Sequence, residues 1–344
     1  MAAVELPCLF DNPIRFAAVP VVPSAMPISL TLAHSPDPDD AFMWWPLTGM
    51  VAPDGTPLPG PEGKPALDTG RFTFKSLPAD IEVLNRRAVE KADLDITALS
   101  VRTWADVQDR YIITSCGASF GDGFGPKVVA RADNSSINCE GCLRRPGLRI
   151  AIPGRRTTAF LMLGLVPNPA GPKPPDRTFI ELPFDQIIGA VARGDADAGL
   201  VIHEGQLTFA DAGLKLILDV GKWWKDKTGL KLPLGINAIN RNLDDGPGGP
   251  GTIREVASLL SRSVAHAMAH WDRSVRYTLP FAQENVNRGG GLPPTLERLE
   301  RYCRMYVSEE TRDMGDPGRE AIRRLLAEGA TAGLCPAVGE LQTV

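Results

Sequence analysis

Short apolar runs alternate with amphipathic stretches along most of the chain, which is the pattern of an α/β protein. The clearest run, Ala198–Ile202, follows a Gly-Asp turn and predicts a buried parallel strand. Just before it, Ile187, Ile188 and Val191 repeat at helical spacing. Similar runs predict further strands over residues 28–33, 72–76, 94–99, 111–114, 127–130, 148–152, 178–182, 214–220 and 234–239.

Apolar residues recur at helical spacing in several of the segments between these strands and in most of the chain after the last strand. The Pro- and Gly-rich residues 48–70 and 244–251 predict loops. Pro280 predicts a break or a kink in the helical stretch that contains it. The predicted helices cover residues 41–45, 80–90, 101–107, 159–165, 184–192, 253–268, 275–286, 294–306 and 319–328.

The alternation of strands and helices predicts two parallel-sheet units. The chain leaves the first unit near residues 126–131 and returns near residues 233–239, so that two crossings join lobes around a hinged cleft. Five prolines interrupt the first 27 residues, which predicts a poorly ordered tail. We therefore expect a tail (1–27), a discontinuous first lobe with the C-terminal helices (28–127 plus 238–335) and a second lobe (128–237).

Polar residues gather where predicted strands end. His203 and Glu204 follow the strand at 198–202, and Ser100 follows the strand at 94–99. In open α/β sheets, ligands bind beyond the carboxyl ends of the strands. His203 is the candidate general base, because an imidazole titrates near the operating pH. The alternative is a histidine whose ring is satisfied by loop carbonyls.

Acidic residues crowd the start of the first predicted helix. Asp37 is a good N-cap, and Asp39 and Asp40 stand in the first turn after Pro38. Capping accounts for all of these residues except the doubling of acids. The functional alternative is that free amides at this helix start face the crevice and hold a polar group of a substrate.

A second helix start follows the strand at 148–152. Its turn, Pro153–Thr158, contains a glycine, two basic residues including Arg155, and the hydroxyls of Thr157 and Thr158. This combination is typical of a cradle for a carboxylate or a phosphate. Capping by the threonines beside two solvated arginines explains the same residues equally well.

Charge and composition exclude several classes of function. The chain has 37 Lys and Arg against 41 Asp and Glu, without a long run of one sign, which argues against a nucleic-acid or membrane surface. The N-terminal residues lack the basic region of a signal peptide, so we expect a cytoplasmic protein. The lone Cys139–Cys142 pair and the pair His266 and His270 lack the partners of a zinc site, and no metal is expected.

Several ordered motifs between about residues 28 and 240 resemble the menaquinone-biosynthesis family of the futalosine route, and within it the branch of 1,4-dihydroxy-6-naphthoate synthases. The motifs are Ser35-Pro36-x-Pro38-x-Asp40-x-Phe42, Leu84-Asn85-Arg86, Leu99-Ser100, Asp109-Arg110-Tyr111, Gly125-Pro126, Pro153-Gly154-Arg155-x-Thr157-Thr158-Ala159, Ala198-Gly199-Leu200-x-Ile202-His203-Glu204 and Leu232-Pro233-Leu234-Gly235. The C-terminal helices match only in general character.

The resemblance implies an α/β fold like the type II periplasmic binding proteins, in an enzyme that works in the cytoplasm without a metal or organic cofactor. It implies a lyase-type fragmentation of cyclic dehypoxanthine futalosine to 1,4-dihydroxy-6-naphthoate, with His203 as general base. The implied partner is a small-molecule substrate that carries a carboxylate, with no nucleic acid and no membrane; a homodimer is compatible with the sequence. The expected substrate contacts are Ser35, Asp39, Asp40, Ser100, Arg155, Thr157, Thr158 and Glu204.

One motif departs from the family. Where the family commonly has Ser-Pro-Cys-Pro-Asn-Asp-Thr-Phe, this chain has Asp39 for the asparagine and Ala41 for the threonine. An extra carboxylate repels an anionic substrate unless Arg155, Arg156 or the helix start offsets it, so a related but different substrate stays open. Two other functions also stay open: the sister enzyme chorismate dehydratase, and a solute-binding protein for a small organic acid, which requires export.

Overall fold

A computed structural model describes residues 27–166, 178–290 and 292–344. The tail expected at residues 1–27 therefore lies, apart from its last residue, outside the described residues. The strands are β1 (Ile28–His34), β2 (Phe72–Pro78), β3 (Ile96–Ser100), β4 (Tyr111–Ile113), β5 (Ser119–Gly121), β6 (Lys127–Arg131), β7 (Arg149–Ile152), β8 (Thr178–Glu181), β9 (Ala198–Val201), β10 (Leu214–Asp219) and β11 (Leu232–Asn240).

Helices cover both sheets and dominate the chain after β11, as the sequence pattern predicts. They are α1 (Pro38–Thr48), α2 (Ile81–Glu90), α3 (Val101–Val107), α4 (Thr158–Leu165), α5 (Ile187–Arg193), α6 (Gly205–Thr208), α7 (Val220–Thr228), α8 (Thr252–Ala269), α9 (Trp271–Gly289), α10 (Leu296–Tyr306), α11 (Glu309–Arg312) and α12 (Gly315–Thr331).

The described strands form two sheets, one in each lobe. The first sheet has the order β2-β1-β3-β11-β4, with β5 added to β11, and the second has the order β10-β6-β9-β7-β8. Each sheet contains the parallel pairs that the sequence predicts, β1 with β2 and β3 in the first and β7 with β8 and β9 in the second. Both sheets are nevertheless mixed, because β11 and β6 run antiparallel to their neighbours.

The antiparallel strands stand next to the two points where the chain passes between the sheets. The chain leaves the first sheet after β5 and enters the second with β6; it returns after α7 and enters the first sheet with β11. A strand that arrives from the other lobe enters its sheet from the cleft side, so it runs against the strands that end at the cleft. Residues 232–237, which the sequence assigned to the second lobe, pair with strands of the first sheet.

The apolar sequence of β3 agrees with its position in the core. All five residues of β3 are buried, as a strand covered on both faces requires. Helix α12 packs against α3 of the first lobe and α4 of the second, so that the C-terminal region braces both lobes. No described helix is long and apolar enough to cross a membrane.

The structure differs from the sequence-based prediction at two helices. Helix α9 continues through Pro280, so the predicted break is absent, because α9 packs along α1 and α10 and this tertiary contact holds the helix together. The segment with Trp223 and Trp224 forms the helix α7, which the sequence analysis missed. Asp219 caps this helix by accepting a hydrogen bond from the amide of Lys222 at 3.0 Å, and Trp224 is fully buried.

Leu32, in the centre of β1, has none of its surface exposed. We expect Leu32→Ala to lower the free energy of unfolding by about 2–5 kcal/mol, since it removes buried methyl groups and leaves a cavity. Leu216→Ala in β10, where the side chain is 46% exposed, is the matched control and should change it by less than about 0.5 kcal/mol. Urea titration of both variants measures the difference, and equal losses would contradict the assignment of the core.

Candidate active site

A cavity lies in the cleft between the two sheets, with about 660 Å³ of empty space when its opening to solvent is included. The carboxyl ends of β1 and β3 contribute Ser35 and Ser100 from the first lobe, and those of β7 and β9 contribute Thr157 and His203 from the second. The structure therefore brings together residues that the sequence places after four different strands, as the rule for open α/β sheets predicts.

His203 stands in a tight turn directly after β9. Its backbone has a φ of 52°, a left-handed conformation that is uncommon for a residue with a side chain. The imidazole lines the cavity, and its Nδ1 contacts the Asp37 carboxylate. The ring of Phe184 packs edge-on against it, with the ring centroids 4.6 Å apart. Nε2 is buried and makes no hydrogen bond to a described residue.

Three acids of the first lobe surround this imidazole. Burial raises the pKa of Asp37 to about 8, and the nearby Glu204 carboxylate adds to the rise. Burial likewise raises the pKa of Asp39 to about 8, and the Asp37 carboxylate adds to it. The pKa of Asp40 also lies well above its ordinary value because the carboxyl is desolvated. These carboxyls therefore hold protons at pH values where exposed acids are ionised.

The sequence assigned Asp37 to capping and Asp40 to a substrate. Asp37 does occupy the N-cap position of α1, but its side chain makes no capping hydrogen bond and reaches His203 instead. The Asp40 carboxylate accepts a hydrogen bond from the backbone amide of Ser35 at 2.8 Å, which braces the turn between β1 and α1. Asp39 is buried, and one of its carboxyl oxygens has no hydrogen-bond partner among the described residues.

The hydroxyl groups at the cavity differ in whether their protons are already donated to another residue. Thr157 accepts a hydrogen bond from the amide of Phe160 at 3.2 Å and donates to a backbone carbonyl, so it caps α4 as the alternative interpretation holds. Thr158 donates to the carbonyl of Leu234 at 2.7 Å. Ser100 accepts from the Asn85 amide at 3.0 Å, which leaves its own proton for a ligand.

Arg155 and Glu204 lie apart from the other expected contacts. The Arg155 side chain is exposed and donates to Glu181 at 2.8 Å, outside the cavity lining. Arg156 likewise turns away and pairs with Asp106 at 3.0 Å. Glu204 lines a neighbouring cavity, where it accepts a hydrogen bond from Asn285 at 3.3 Å. No arginine or lysine among the described residues lines the cavity that contains His203.

Contacts across the cleft hold the lobes together. Arg86 of α2 donates to Glu181 of β8 at 2.7 Å, and the amide of Arg156 donates to Glu82 at 3.4 Å. Gly154, in the second lobe, comes so close to Glu82 that a Cβ atom there would lie 2.3 Å from the carboxyl carbon. The glycine of this turn therefore allows the two lobes to approach.

Sequence reasoning missed the aromatic wall of the cavity. Tyr302 and Tyr306 of α10 line it, and the Tyr306 hydroxyl donates to Gln206 at 2.8 Å. Tyr302 and Tyr306 are four residues apart, so the sequence could have predicted that both rings lie on one face of a helix. The sequence does not show that this face meets the cleft. Four buried polar atoms without a described partner belong to residues that line the same cavity: Ser35 Oγ, Asp37 Oδ1, Asp39 Oδ1 and His203 Nε2.

Unpartnered polar atoms in one cavity are typical of a ligand-binding site, since buried polar groups are normally paired. Among the described residues, no three His, Cys, Asp or Glu side chains are placed to hold a metal ion. His266 and His270 stack against each other with centroids 4.1 Å apart, on α8 and directly after it. The sulfur atoms of Cys139 and Cys142 are 3.1 Å apart and are not joined by a disulfide bond.

Comparison with known proteins identifies the family. The model of a family described as menaquinone biosynthesis matches residues 30–331. The chain belongs to this family. It is 35% identical over 306 residues to a 1,4-dihydroxy-6-naphthoate synthase of Thermus thermophilus, covering 89% of this chain and 96% of that protein. A synthase of the same name from Streptomyces coelicolor is 33% identical over 316 residues, covering 90% and 96%.

Solved structures agree with the fold. A protein of the archaeon Archaeoglobus fulgidus is 37% identical, with a TM-score of 0.71 over 89% of this chain and 98% of its own. The alkanesulfonate-binding protein of Xanthomonas axonopodis is 12% identical, with a TM-score of 0.59 over 91% and 96%. A Candida albicans protein with the generic periplasmic-binding-protein fold has a TM-score of 0.62. This menaquinone-biosynthesis chain thus has the periplasmic-binding-protein-like fold that its sequence motifs imply.

Gly154→Ala tests the close approach of the lobes. The added methyl group would meet Glu82, and the φ of 145° at this position disfavours alanine, so we expect a more open cleft. The radius of gyration in small-angle scattering should rise. The affinity for the expected substrate, cyclic dehypoxanthine futalosine, should fall about tenfold. Gly213→Ala is the control, because its φ is 73° but its Cβ would meet no atom within 4 Å. Equal effects of both variants would contradict the interpretation.

Asp39→Asn tests the buried acids. A carboxyl whose pKa is raised by folding binds its proton more tightly in the native state, so stability falls as the pH rises from its unfolded pKa near 4 to about 8. The asparagine carries no such proton. We expect a melting temperature about 2–4 °C above that of the wild type at pH 8.5, with a smaller gain at pH 5. Thermal scans at both pH values measure it; a gain independent of pH would contradict the raised pKa.

Proposed function

We propose that this protein is a 1,4-dihydroxy-6-naphthoate synthase, a carbon–carbon lyase that fragments cyclic dehypoxanthine futalosine in menaquinone biosynthesis. Two relatives that carry this name match nearly their whole length, which supports the activity. The observation that carries the proposal is the imidazole of His203 in the cleft, with an Nε2 atom that no described residue engages. The reaction would take place in the cytoplasm.

In the proposed mechanism, uncharged His203 removes a proton from the substrate, and the electrons of the broken C–H bond drive the separation of the cyclised sugar from the aromatic product. A positioned general base of this kind contributes about 10²–10⁴ in rate. The cleft supports this step because it holds the substrate against the base and limits the access of water, which strengthens each polar contact inside.

The proposed binding site for the substrate carboxylate is formed by hydroxyls and amides. Ser100 and Ser35 have hydroxyl protons that no described residue accepts, and α4 begins at Thr158 with N–H groups that lack acceptors within the helix. The amide of Arg102 donates to Thr158 at 3.3 Å, which brings Ser100 and the start of α4 close together across the cleft. Neutral donors of this kind bind an anion without a neighbouring arginine.

Arg155 and Glu204 have a smaller part in this proposal than in the sequence-based expectation. The guanidinium of Arg155 packs over Phe160 and Phe179, with 5.8 Å to each ring centroid, so its contribution is to the wall beside α4. Glu204 acts at a distance through its charge, since it raises the pKa of Asp37. Asp39, protonated near neutral pH, would donate a hydrogen bond to an oxygen of the substrate and not repel it.

His203→Ala should lower kcat for the release of dihydroxynaphthoate by about 10²–10⁴-fold while substrate affinity changes much less, because the base acts only in the transition state. Product release is measured by chromatography with purified protein and cyclic dehypoxanthine futalosine, and affinity by calorimetry.

The matched control is His270→Ala, since His270 is exposed and lies away from the cavity; its activity should equal that of the wild type. Binding of the futalosine by the folded wild type without any product would favour the solute-binding alternative. Turnover of chorismate in its place would favour the dehydratase.

A further inference from the structure

We infer that Asp37 is the positioning residue for His203: its carboxylate accepts the hydrogen bond of Nδ1–H and directs the lone pair of Nε2 to the substrate. This inference rests on the proposed role of His203 as the base. It concerns a residue that the sequence pattern assigned only to helix capping.

The contact joins two lobes. Asp37 precedes α1 in the first lobe, and His203 follows β9 in the second. The two side chains are 5% and 15% exposed, so they meet in a largely desolvated cleft. Because one partner comes from each lobe, the pair can form only when the lobes are close together. Closure of the cleft around a substrate would therefore also orient the base.

The local structure commits Asp37 to this contact. An aspartate at an N-cap normally accepts a hydrogen bond from an amide in the first turn of its helix. Asp37 makes no such bond to the amides of Asp39 or Asp40, which follow Pro38 in the first turn of α1. The backbone at Asp37 is extended, with φ −80° and ψ 158°. The carboxylate is thus directed to His203 and not to its own helix.

The surroundings of the ring select one tautomer. Nδ1 has a carboxylate beside it, whereas Nε2 has no hydrogen-bond partner among the described residues. A buried N–H without an acceptor is rarer than a buried acceptor without a donor. When Asp37 is ionised, the proton of the neutral imidazole therefore resides on Nδ1 and the lone pair on Nε2, which is the form that a general base needs.

Among the described residues, the ionisable groups that interact with the Asp37 carboxyl are all acidic apart from His203 itself. Asp39 and Asp40 approach from α1, Glu204 from the turn itself, and Tyr302, Cys303 and Tyr306 from α10. Burial and the Glu204 carboxylate raise the pKa of Asp37 to about 8. As the pH rises through about 8, the Asp37 carboxyl loses its proton, and the pair of carboxylate and ring then shares a single proton. The NMR spectra are therefore best taken near pH 9.

The chain has only four histidines, so nitrogen NMR of protein labelled with ¹⁵N-histidine can test the inference directly. The His203 signals are identified by their loss in His203→Ala. In the wild type near pH 9 we expect a protonated Nδ1 and an unprotonated Nε2. In Asp37→Asn the amide group can donate to Nδ1, so we expect the proton on Nε2. The kcat should fall by about 10²–10⁴-fold with KM little changed.

Two further variants separate positioning from folding. Asp39→Asn changes a buried carboxyl on the same helix that does not contact the ring, and should leave the tautomer of His203 as in the wild type. Asp37→Cys also removes the carboxylate and serves if Asp37→Asn does not fold. It should also lose the fixed Nδ1–H tautomer.

An unchanged tautomer in a folded Asp37 variant, or an Nε2-protonated ring in the wild type, would overturn the inference. A wild type that releases no dihydroxynaphthoate would overturn the proposed function instead, and the NMR spectra would still decide whether Asp37 holds the ring.

Discussion

The contact between a buried carboxylate and a buried imidazole, one from each lobe, is the interaction on which the site depends. Asp37 and His203 are both removed from most solvent, where an unpaired charge is costly and a paired one is strongly oriented. The contact with Asp37 engages Nδ1 of the ring, and most of the ring is shielded from solvent. Contacts such as those of Arg86 with Glu181 and of Glu82 with the turn at Gly154 keep the lobes near enough for the pair to form.

The electrostatic character of the cavity follows from this arrangement. Acids line one part of it, their pKa values raised by burial, and no described arginine or lysine lines it. An anionic ligand in this cavity would therefore be bound by hydroxyls and helix amides. Protonated carboxyls such as that of Asp39 would donate hydrogen bonds to its oxygens.

The fold and the chemistry have separate origins. Periplasmic binding proteins at 10–12% identity share the two-lobed architecture, and this likeness carries nothing beyond the fold. The family is shown by a match over residues 30–331 and by relatives at 33–35% identity. In this chain, one turn after β9 projects the imidazole of His203 into the space between the lobes, and the proposed activity depends on that imidazole.

The sequence by itself determined the positions of most strands and helices and the residues that end β1, β3, β7 and β9, because these follow from local periodicity and turn chemistry. It also singled out His203, Ser100 and Thr157, which follow the ends of strands, because ligands bind beyond the carboxyl ends of strands in α/β sheets and the two sheets face one cleft. Only the tertiary structure decided that Asp37 turns from its helix to His203, that Arg155 faces outward and that Tyr302 closes the cavity. Those outcomes depend on the distance between lobes and on the direction of long side chains, and neither is encoded in the spacing of residues along the chain.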